Sequence, residues 1–314
     1  MTPALSVTRR SPVHQRWTLD DIPWQGIDRT ALANREILFY LVTTASFIET
    51  ATDTYARNLI EYYASDAEAT AWLDQHWQHE ELQHGRALKH YVQTAWPDFD
   101  WDQVYNAFFA EFSANCVVEA LEPGHCLEMV SRCIVEMGTS SYYTALSALS
   151  PEPVLSLLTQ LIREDEVRHY KYFYHSFLRY RESEQIGRWK IFRAILRRLR
   201  MIDGEDSSIA LKHAYSICHP GKPFDDHLYR RIQKQGRHLL GPHFPHEMSV
   251  KMTLKPLALN PQVQKIVVHS IVFLSRCLLW GEGRTLFKSQ VQMYADFYFR
   301  LQRYALDKWG RFAN

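Results

Sequence analysis

Four long segments carry an apolar residue every three to four positions, and this periodicity constrains the fold of the chain more than any other feature. Apolar residues at this spacing line one face of an α-helix, so each segment predicts a long amphipathic helix. Proline and glycine are absent from the first segment, as a continuous helix requires. The predicted helices span residues 31–64, 67–94, 125–149 and 151–181.

The connections between these helices are short, long and short. Ser65-Asp66 is a helix-start signal in the first connection, and Ser150 precedes a proline suited to the first turn of a helix. The middle connection covers residues 95–124 and contains a shorter helical pattern over 101–120. This order predicts an all-α fold, a ferritin-like four-helix bundle with a long B–C crossover.

The sequence predicts three parts along the chain. They are an N-terminal extension over 1–30, the bundle over 31–182, and a basic helical C-terminal extension over 183–314 that packs on the bundle. Five cysteines without a Cys-x-x-Cys pair favour neither a disulfide framework nor a zinc site. The N-terminus lacks the apolar stretch of a signal peptide, and the most apolar window, 266–280, is too short and too charged to span a bilayer. We therefore expect a cytoplasmic protein without a transmembrane segment.

Two Glu-x-x-His motifs lie on the second and fourth predicted helices, at Glu81/His84 and Glu166/His169. Residues three apart share a helix face, so each motif aims a carboxylate and an imidazole at one point. A third copy begins at Glu122, but its two middle residues are proline and glycine. These residues break the helix that the geometry needs, so we interpret the third copy as accidental.

A further glutamate faces each motif across a predicted turn. Glu49 lies 15 residues before the end of the first helix and Glu81 lies 17 after it, a mismatch of about 3 Å along antiparallel helices. Glu136 and Glu166 lie 14 residues before and 16 after the last turn. Mid-helix glutamates are usually solvated, but Glu49 and Glu136 have apolar neighbours, and a buried carboxylate needs a partner or a metal. The sequence therefore predicts a two-metal site with six ligands, Glu49, Glu81, His84, Glu136, Glu166 and His169.

An acid directly precedes each motif, Glu80 before the first and Asp165 before the second. Such carboxylates accept the second N–H of a ligating histidine and fix its orientation. A neighbour rotated by about 100° around its helix would reach the histidine of the other motif. A solvated charge is the alternative for both acids. Arg168, inside the second motif, would pair with Asp165 or Glu80.

The sequences Glu80-Glu81-Leu82-Gln83-His84-Gly85 and Asp165-Glu166-Val167-Arg168-His169 resemble the metal motifs of the soluble acyl-ACP desaturases, within the wider ferritin-like di-iron oxidases. The order and spacing of the six ligands are similar over residues 40–175. Thr139 strengthens the resemblance, because the desaturases carry a threonine three residues after the third-helix glutamate. The resemblance implies that Thr139 handles protons during oxygen activation; a hydroxyl bonded back to its own helix is the alternative. Gln83 stands where the desaturases typically have arginine.

This resemblance implies an O2-activating non-heme di-iron oxidase or oxygenase. Its cofactors would be two Fe ions that cycle between Fe2+ and Fe3+, with Mn as an alternative metal, and O2 would be the co-substrate. The substrate would be apolar, and an acyl group on acyl carrier protein is one candidate. An external donor such as ferredoxin would supply electrons. Desaturation, hydroxylation and oxidative cleavage stay open, and so does a ferroxidase-type iron protein without an organic substrate.

Four aromatic residues are candidates to enclose an apolar substrate near the metals. They are equally good core residues, and the core interpretation is favoured for each one. These residues are Phe47, Trp77, Tyr143 and Phe173.

The net charge of +1 hides two oppositely charged halves, because residues 1–170 carry −13 and residues 171–314 carry +14. Residues 188–200 interleave six basic residues with apolar ones at helical spacing. A basic amphipathic helix docks on acidic proteins or membrane surfaces; a bundle helix with a solvated basic face is the alternative. No base-reading motif accompanies the charge, so no nucleic-acid partner is expected, and a homodimer stays open. The residues predicted to contact acyl carrier protein or ferredoxin are Arg193, Arg197 and Arg198.

Overall fold

The computed structural model describes residues 16–115, 121–201 and 205–280, and every regular element in these ranges is helical. The prediction of an all-α helical fold is confirmed. The chain divides into two compact units, residues 1–259 and 260–314.

The prediction of one continuous helix over residues 31–64 is wrong. The chain instead forms α1 (Arg29–Leu32), α2 (Glu36–Thr50) and α3 (Thr52–Tyr62). Asn34 separates α1 from α2 because its backbone is left-handed, with a φ of 60°, a conformation that asparagine tolerates better than most residues. Ala51 separates α2 from α3, yet its N–H still bonds to carbonyls of the preceding turn. Main-chain hydrogen bonding therefore continues across the second break.

The second bundle helix contains an irregular turn. It consists of α4 (Ala67–Trp72), a π-helical turn (Leu73–Trp77) and α5 (Gln78–Ala95). Asp66 caps α4 by accepting a hydrogen bond from the N–H of Ala69, so the predicted start is confirmed. The π-turn was not predicted, since the apolar spacing continues through it.

The third and fourth bundle helices are long and unbroken. α6 (Trp101–Phe112) lies in the crossover and α7 (His125–Leu149) has its predicted bounds. α8 (Pro153–Glu184) starts two residues later than predicted. Glu152, and not Ser150, caps α8, because its carboxylate accepts hydrogen bonds from the first two N–H groups of the following segment. Residues 116–120 of the predicted crossover helix lie outside the described residues.

The bundle packs as two helix pairs, with α7 along α8 and α2 along α5. The crossover helix α6 covers α2 with aromatic side chains. Phe47 is fully buried and its ring lies 5.4 Å from the rings of Trp101 and Phe108. Phe47 therefore contacts the crossover, as a core residue does.

α2 and α5 approach most closely where Gly85 faces Thr50. A Cβ atom at Gly85 would lie 2.7 Å from the Cα atom of Thr50 and 2.8 Å from its nitrogen. Non-bonded Cβ atoms do not approach backbone atoms this closely, so a side chain at Gly85 would require the backbone to shift. Gly85 follows His84, and Thr50 follows Glu49, so this contact fixes the separation of two predicted ligands.

Four helices that follow the bundle pack against it. They are α9 (Arg188–Met201), α10 (Glu205–Cys218), α11 (Asp226–Leu240) and α12 (His246–Leu254). α9 and α12 contact α7, and α10 contacts α2 and α6. The hydroxyls of Ser141 and Ser249 bond at 2.6 Å, and Tyr170 donates to the carbonyl of Met252. The first compact unit therefore extends past the predicted boundary at residue 182, as far as Leu259.

The predicted docking residues of α9 have different environments. Arg193 is exposed. The Nε atom of Arg197 donates to Glu122 at 3.0 Å, so the crossover already pairs this guanidinium. Arg198 packs inward, where burial and the neighbouring Arg132 lower its pKa to about 10. Arg197 and Arg198 thus face the chain itself, which a basic pattern along one helix does not reveal.

The second unit contains α13 (Pro261–Trp280), and residues 281–314 of the predicted extension lie outside the described residues. Ile266 and Phe273 of α13 are exposed. None of the helices in the described ranges combines the length and the apolar character needed to cross a bilayer.

We expect Gly85→Ala to destabilise the protein by about 2–3 kcal/mol, because the added methyl group forces α2 and α5 apart. Gly187→Ala is the matched control, since a Cβ atom there meets no atom within 4 Å, and its effect should stay within about 1 kcal/mol. Chemical denaturation measures both. Equal stabilities of the two variants would show that the close approach at Gly85 is not needed.

Candidate metal centre

Six ionisable side chains from four helices meet in the middle of the bundle. α2 contributes Glu49, α5 contributes Glu81 and His84, α7 contributes Glu136, and α8 contributes Glu166 and His169. All six are at most 6% exposed. Two groups of four can each offer ligand atoms within 4.8 Å of one another. One group contains Glu49 and His84, the other contains Glu136 and His169, and both contain Glu81 and Glu166.

Both imidazoles direct their Nδ1 atom at the carboxylates. The Nδ1 atom of His84 lies 3.3 Å from Glu166 and 4.0 Å from Glu49. The Nδ1 atom of His169 lies 3.1 Å from Glu81 and 3.5 Å from Glu136. The two histidines therefore face one shared space from opposite helices.

The acid that precedes each motif contacts the histidine of the other motif. The Nε2 atom of His84 lies 3.0 Å from Asp165, and the Nε2 atom of His169 lies 2.7 Å from Glu80. Arg168 joins the two acids, with guanidinium nitrogens 2.9 Å from Glu80 and 2.5 Å from Asp165. A carboxylate at Nε2 places the N–H there and leaves the Nδ1 lone pair for a metal.

Trp17 completes the surroundings of His84, and sequence reasoning missed it. Its indole N–H donates to Asp165 at 2.8 Å, and its ring lies parallel to the imidazole of His84 with centroids 6.1 Å apart. Gln83 donates to the carbonyl of Trp17 at 2.9 Å, which holds this part of the N-terminal extension on the bundle. Nothing in the pattern around Trp17 indicates a contact with a residue 148 positions away.

Tyr143 and Thr139 donate hydrogen bonds to the carboxylate cluster. The phenol of Tyr143 donates to Glu49 at 2.5 Å. The hydroxyl of Thr139 lies 2.7 Å from Glu166 and 3.2–3.3 Å from carbonyls of its own helix. Both residues follow Glu136 at helical spacing, which is the signal that places them on the same face of α7.

The residues present fit a pair of metal ions. Within the described residues, several buried atoms of the cluster lack a hydrogen-bond partner. They are Nδ1 of His84, Nδ1 of His169, both carboxylate oxygens of Glu136, and Oε1 of Glu166. Buried polar atoms without partners are costly, whereas the same lone pairs around two cations would all be used.

The electrostatics of the cluster also favour the binding of cations. Burial and the neighbouring carboxylates raise the pKa of Glu49 and of Glu136 well above the ordinary value. Burial lowers the pKa of His84 and His169, but the surrounding carboxylates outweigh it and raise both pKa values. Without cations the cluster therefore retains protons that metal ions would displace.

Four carboxylates and two imidazoles form a hard, oxygen-rich ligand set. Such a set suits iron or manganese, whereas structural zinc sites favour thiolates. Cys133 is buried one turn from Glu136 but belongs to neither group of four. The third Glu-x-x-His copy is also separate, since Glu122 pairs with Arg197 and His125 contacts the carbonyl of Tyr62.

The sequence matches no protein-family model and no curated protein. Similar solved structures include mutants of an R2-like ligand-binding oxidase. One has an aerobically reconstituted Fe/Fe cofactor and is 14% identical, with a TM-score of 0.49 over 83% of this chain and 87% of its own. Two have Mn/Fe cofactors and are 13% identical, with TM-scores of 0.47 and 0.46 over 83% of this chain and 87% and 88% of theirs. The resemblance of the motifs to acyl-ACP desaturases stays a prediction.

We expect the gain in Tm on Mn2+ loading to increase with pH. A group with a raised pKa in the folded state stabilises the fold below its unfolded pKa, and this stabilisation is lost as pH rises through the folded pKa. Glu49 and Glu136 therefore destabilise the metal-free protein as pH rises above the ordinary value of 4.5. Bound cations reverse this effect. Thermal unfolding of Mn2+-loaded and chelator-treated protein between about pH 5.5 and pH 8 measures it.

The double variant Glu49→Gln/Glu136→Gln is the control, because its metal-free form should lose much of this pH dependence. A gain in Tm that is flat or falls with pH in the unmodified protein would contradict this account of the cluster.

Proposed function

We propose that this protein is an O2-activating non-heme di-iron oxidase or oxygenase. The observation that supports this most directly is the pair of buried ligand groups that share Glu81 and Glu166. Two metals held by common carboxylates lie close enough to act together on one small molecule. In this proposal Glu49 and His84 would hold one metal, Glu136 and His169 would hold the other, and Glu81 and Glu166 would be available to both.

The metals would be two iron ions, with manganese as an alternative at either position. When bound, they would supply the electrons for O2 reduction by cycling between the +2 and +3 states. The chain supplies orientation: Asp165 and Glu80 hold the N–H of each histidine, and Arg168 forms an ion pair with each of the two acids. Burial of the six side chains excludes water from the reaction.

We propose that Thr139 donates a proton near the metals. Its hydroxyl already donates to Glu166 at 2.7 Å, so the O–H points into the cluster. At this position the Thr139 hydroxyl can exchange its proton with the carboxylate oxygen of Glu166. The same hydrogen bond also fixes the orientation of Glu166.

An apolar organic substrate, such as an acyl group on acyl carrier protein, agrees with the aromatic surroundings. Trp77, Tyr143 and Phe173 are buried beside the ligands, whereas Phe47 faces the crossover. Electrons would come from an acidic donor such as ferredoxin. Arg193 is the exposed member of the predicted docking residues, and variants at Arg197 would disturb the pair with Glu122 instead.

We expect the protein to bind two Fe2+ per chain when loaded anaerobically, and Glu81→Gln to bind fewer than one. Glu122→Gln is the matched control, because Glu122 begins the third Glu-x-x-His copy but pairs with Arg197. Elemental analysis after desalting measures the metal. Fewer than one metal per chain in the folded, unmodified protein would refute the proposal.

O2 uptake by the iron-loaded protein separates an oxygenase from a ferroxidase. An acyl substrate should accelerate O2 uptake in an oxygenase and leave it unchanged in a ferroxidase.

We expect Thr139→Val to retain both iron ions and to lower turnover by about 10²-fold, the scale of a lost proton donor. Thr139→Ser should recover most of the rate. Thr144→Val is the control, since its hydroxyl bonds to the carbonyl of Ser140 on the same helix. Unchanged turnover in a fully loaded Thr139→Val protein would remove Thr139 from the mechanism.

A further inference from the structure

The indole nitrogen of Trp77 is a buried hydrogen-bond donor that has no acceptor among the residues that the structure describes. The side chain is only 4% exposed, so water does not replace the missing acceptor at the surface. A buried donor left unpaired costs about 1–3 kcal/mol. An unpaired buried donor calls for an explanation, and an acceptor supplied by a bound ligand is the one that we pursue, because the donor lies close to the candidate metal centre.

Trp77 lies one helical turn from the proposed metals. It is the last residue of the π-turn Leu73–Trp77, four positions before Glu81 on the same helix. π-turns are rare and occur frequently at functional sites. Four residues of helix place Trp77 about 6 Å from Glu81 along the axis.

The ring that carries the unpaired donor packs against an apolar side chain. Phe173 lies four positions after His169, and its ring packs edge to face with the ring of Trp77 at 5.7 Å. Leu73 and Phe173 are fully buried. This end of the metal cluster therefore combines one polar donor with apolar walls, the usual composition of a site for a small organic ligand.

We propose that Trp77 donates its indole N–H to a carbonyl or carboxyl oxygen of the organic substrate, whose apolar part packs against Phe173. This inference rests on the proposed function and narrows its substrate class. One good hydrogen bond and a hydrophobic contact would orient the substrate beside the metals.

The position of this donor also limits which carbon is oxidised. The substrate oxygen would be held about one helical turn from Glu81, so the carbons nearest the metals are those close to that oxygen. Oxidation should therefore occur near the polar end of the substrate. Oxidation in the middle of a long chain would place the carbonyl group too far away for Trp77 to bind it.

Octanamide is a suitable probe, because it has a neutral carbonyl oxygen and a short apolar chain. In the full chain labelled with 15N at tryptophan and loaded with diamagnetic Zn2+, the signal missing from Trp77→Phe identifies the indole of Trp77. We expect octanamide to move that signal downfield. Calorimetry should show about tenfold weaker octanamide binding to Trp77→Phe, the equivalent of one net hydrogen bond. Trp96→Phe is the control and should change binding less than twofold, because Trp96 follows the last residue of α5 and its ring packs on Phe39 and Tyr91.

Three results would overturn the assignment. They are an indole signal that octanamide does not move, equal binding to the unmodified protein and Trp77→Phe, and equal losses in Trp77→Phe and Trp96→Phe. Metal content is measured on the same samples. If a separate Fe2+-loaded sample holds two metals and consumes O2 while the indole signal of the Zn2+-loaded chain stays fixed, the inference about Trp77 fails and the proposed function stands. If no metal binds, the proposed function fails, and the indole shift in the metal-free chain still tests Trp77.

Discussion

The structure depends on one electrostatic constraint, since four carboxylates and two imidazoles face one another where water is excluded. Burial and mutual repulsion raise the free energy of such a cluster, and the raised pKa values of Glu49 and Glu136 express that cost. Two cations would neutralise most of it. The neighbouring contacts serve the same arrangement: Glu80 and Asp165 accept the outer N–H groups, and Arg168 forms ion pairs with both acids.

Much of the cluster could be predicted because helices are regular. Similar distances from a turn place Glu49 opposite Glu81, and a spacing of three places His84 beside Glu81. Features that depend on contacts between distant segments could not be predicted. Trp17 reaches Asp165 across 148 residues, and Glu152 replaces Ser150 as a helix cap because Tyr91 also holds its carboxylate. The basic pattern of α9 indicates its charge but not the acid opposite, so Glu122 was not expected to pair with Arg197.

Two departures from regular helix and one close helix contact lie near the predicted ligands. The break at Ala51 follows Glu49 by two residues, and the π-turn ends four residues before Glu81. Irregular backbone at these two positions costs stability and persists where packing or function requires it. Gly85 lies within α5 directly after His84, and any side chain there would meet the backbone of α2. Regular helices determine the height of each ligand, and the contact at Gly85 determines how closely α2 and α5 approach.

The crossed contacts between the two motifs have a consequence for how the centre assembles. α5 carries His84 but α8 carries the acid that orients it, and the reverse holds for His169. Neither helix alone therefore presents a finished histidine ligand, and the centre forms only after α5 and α8 have docked. Since Glu81 and Glu166 are common to both ligand groups, the first cation to arrive would organise the ligands of the second. The two metal positions would then fill cooperatively, and only in chains in which α5 and α8 have docked.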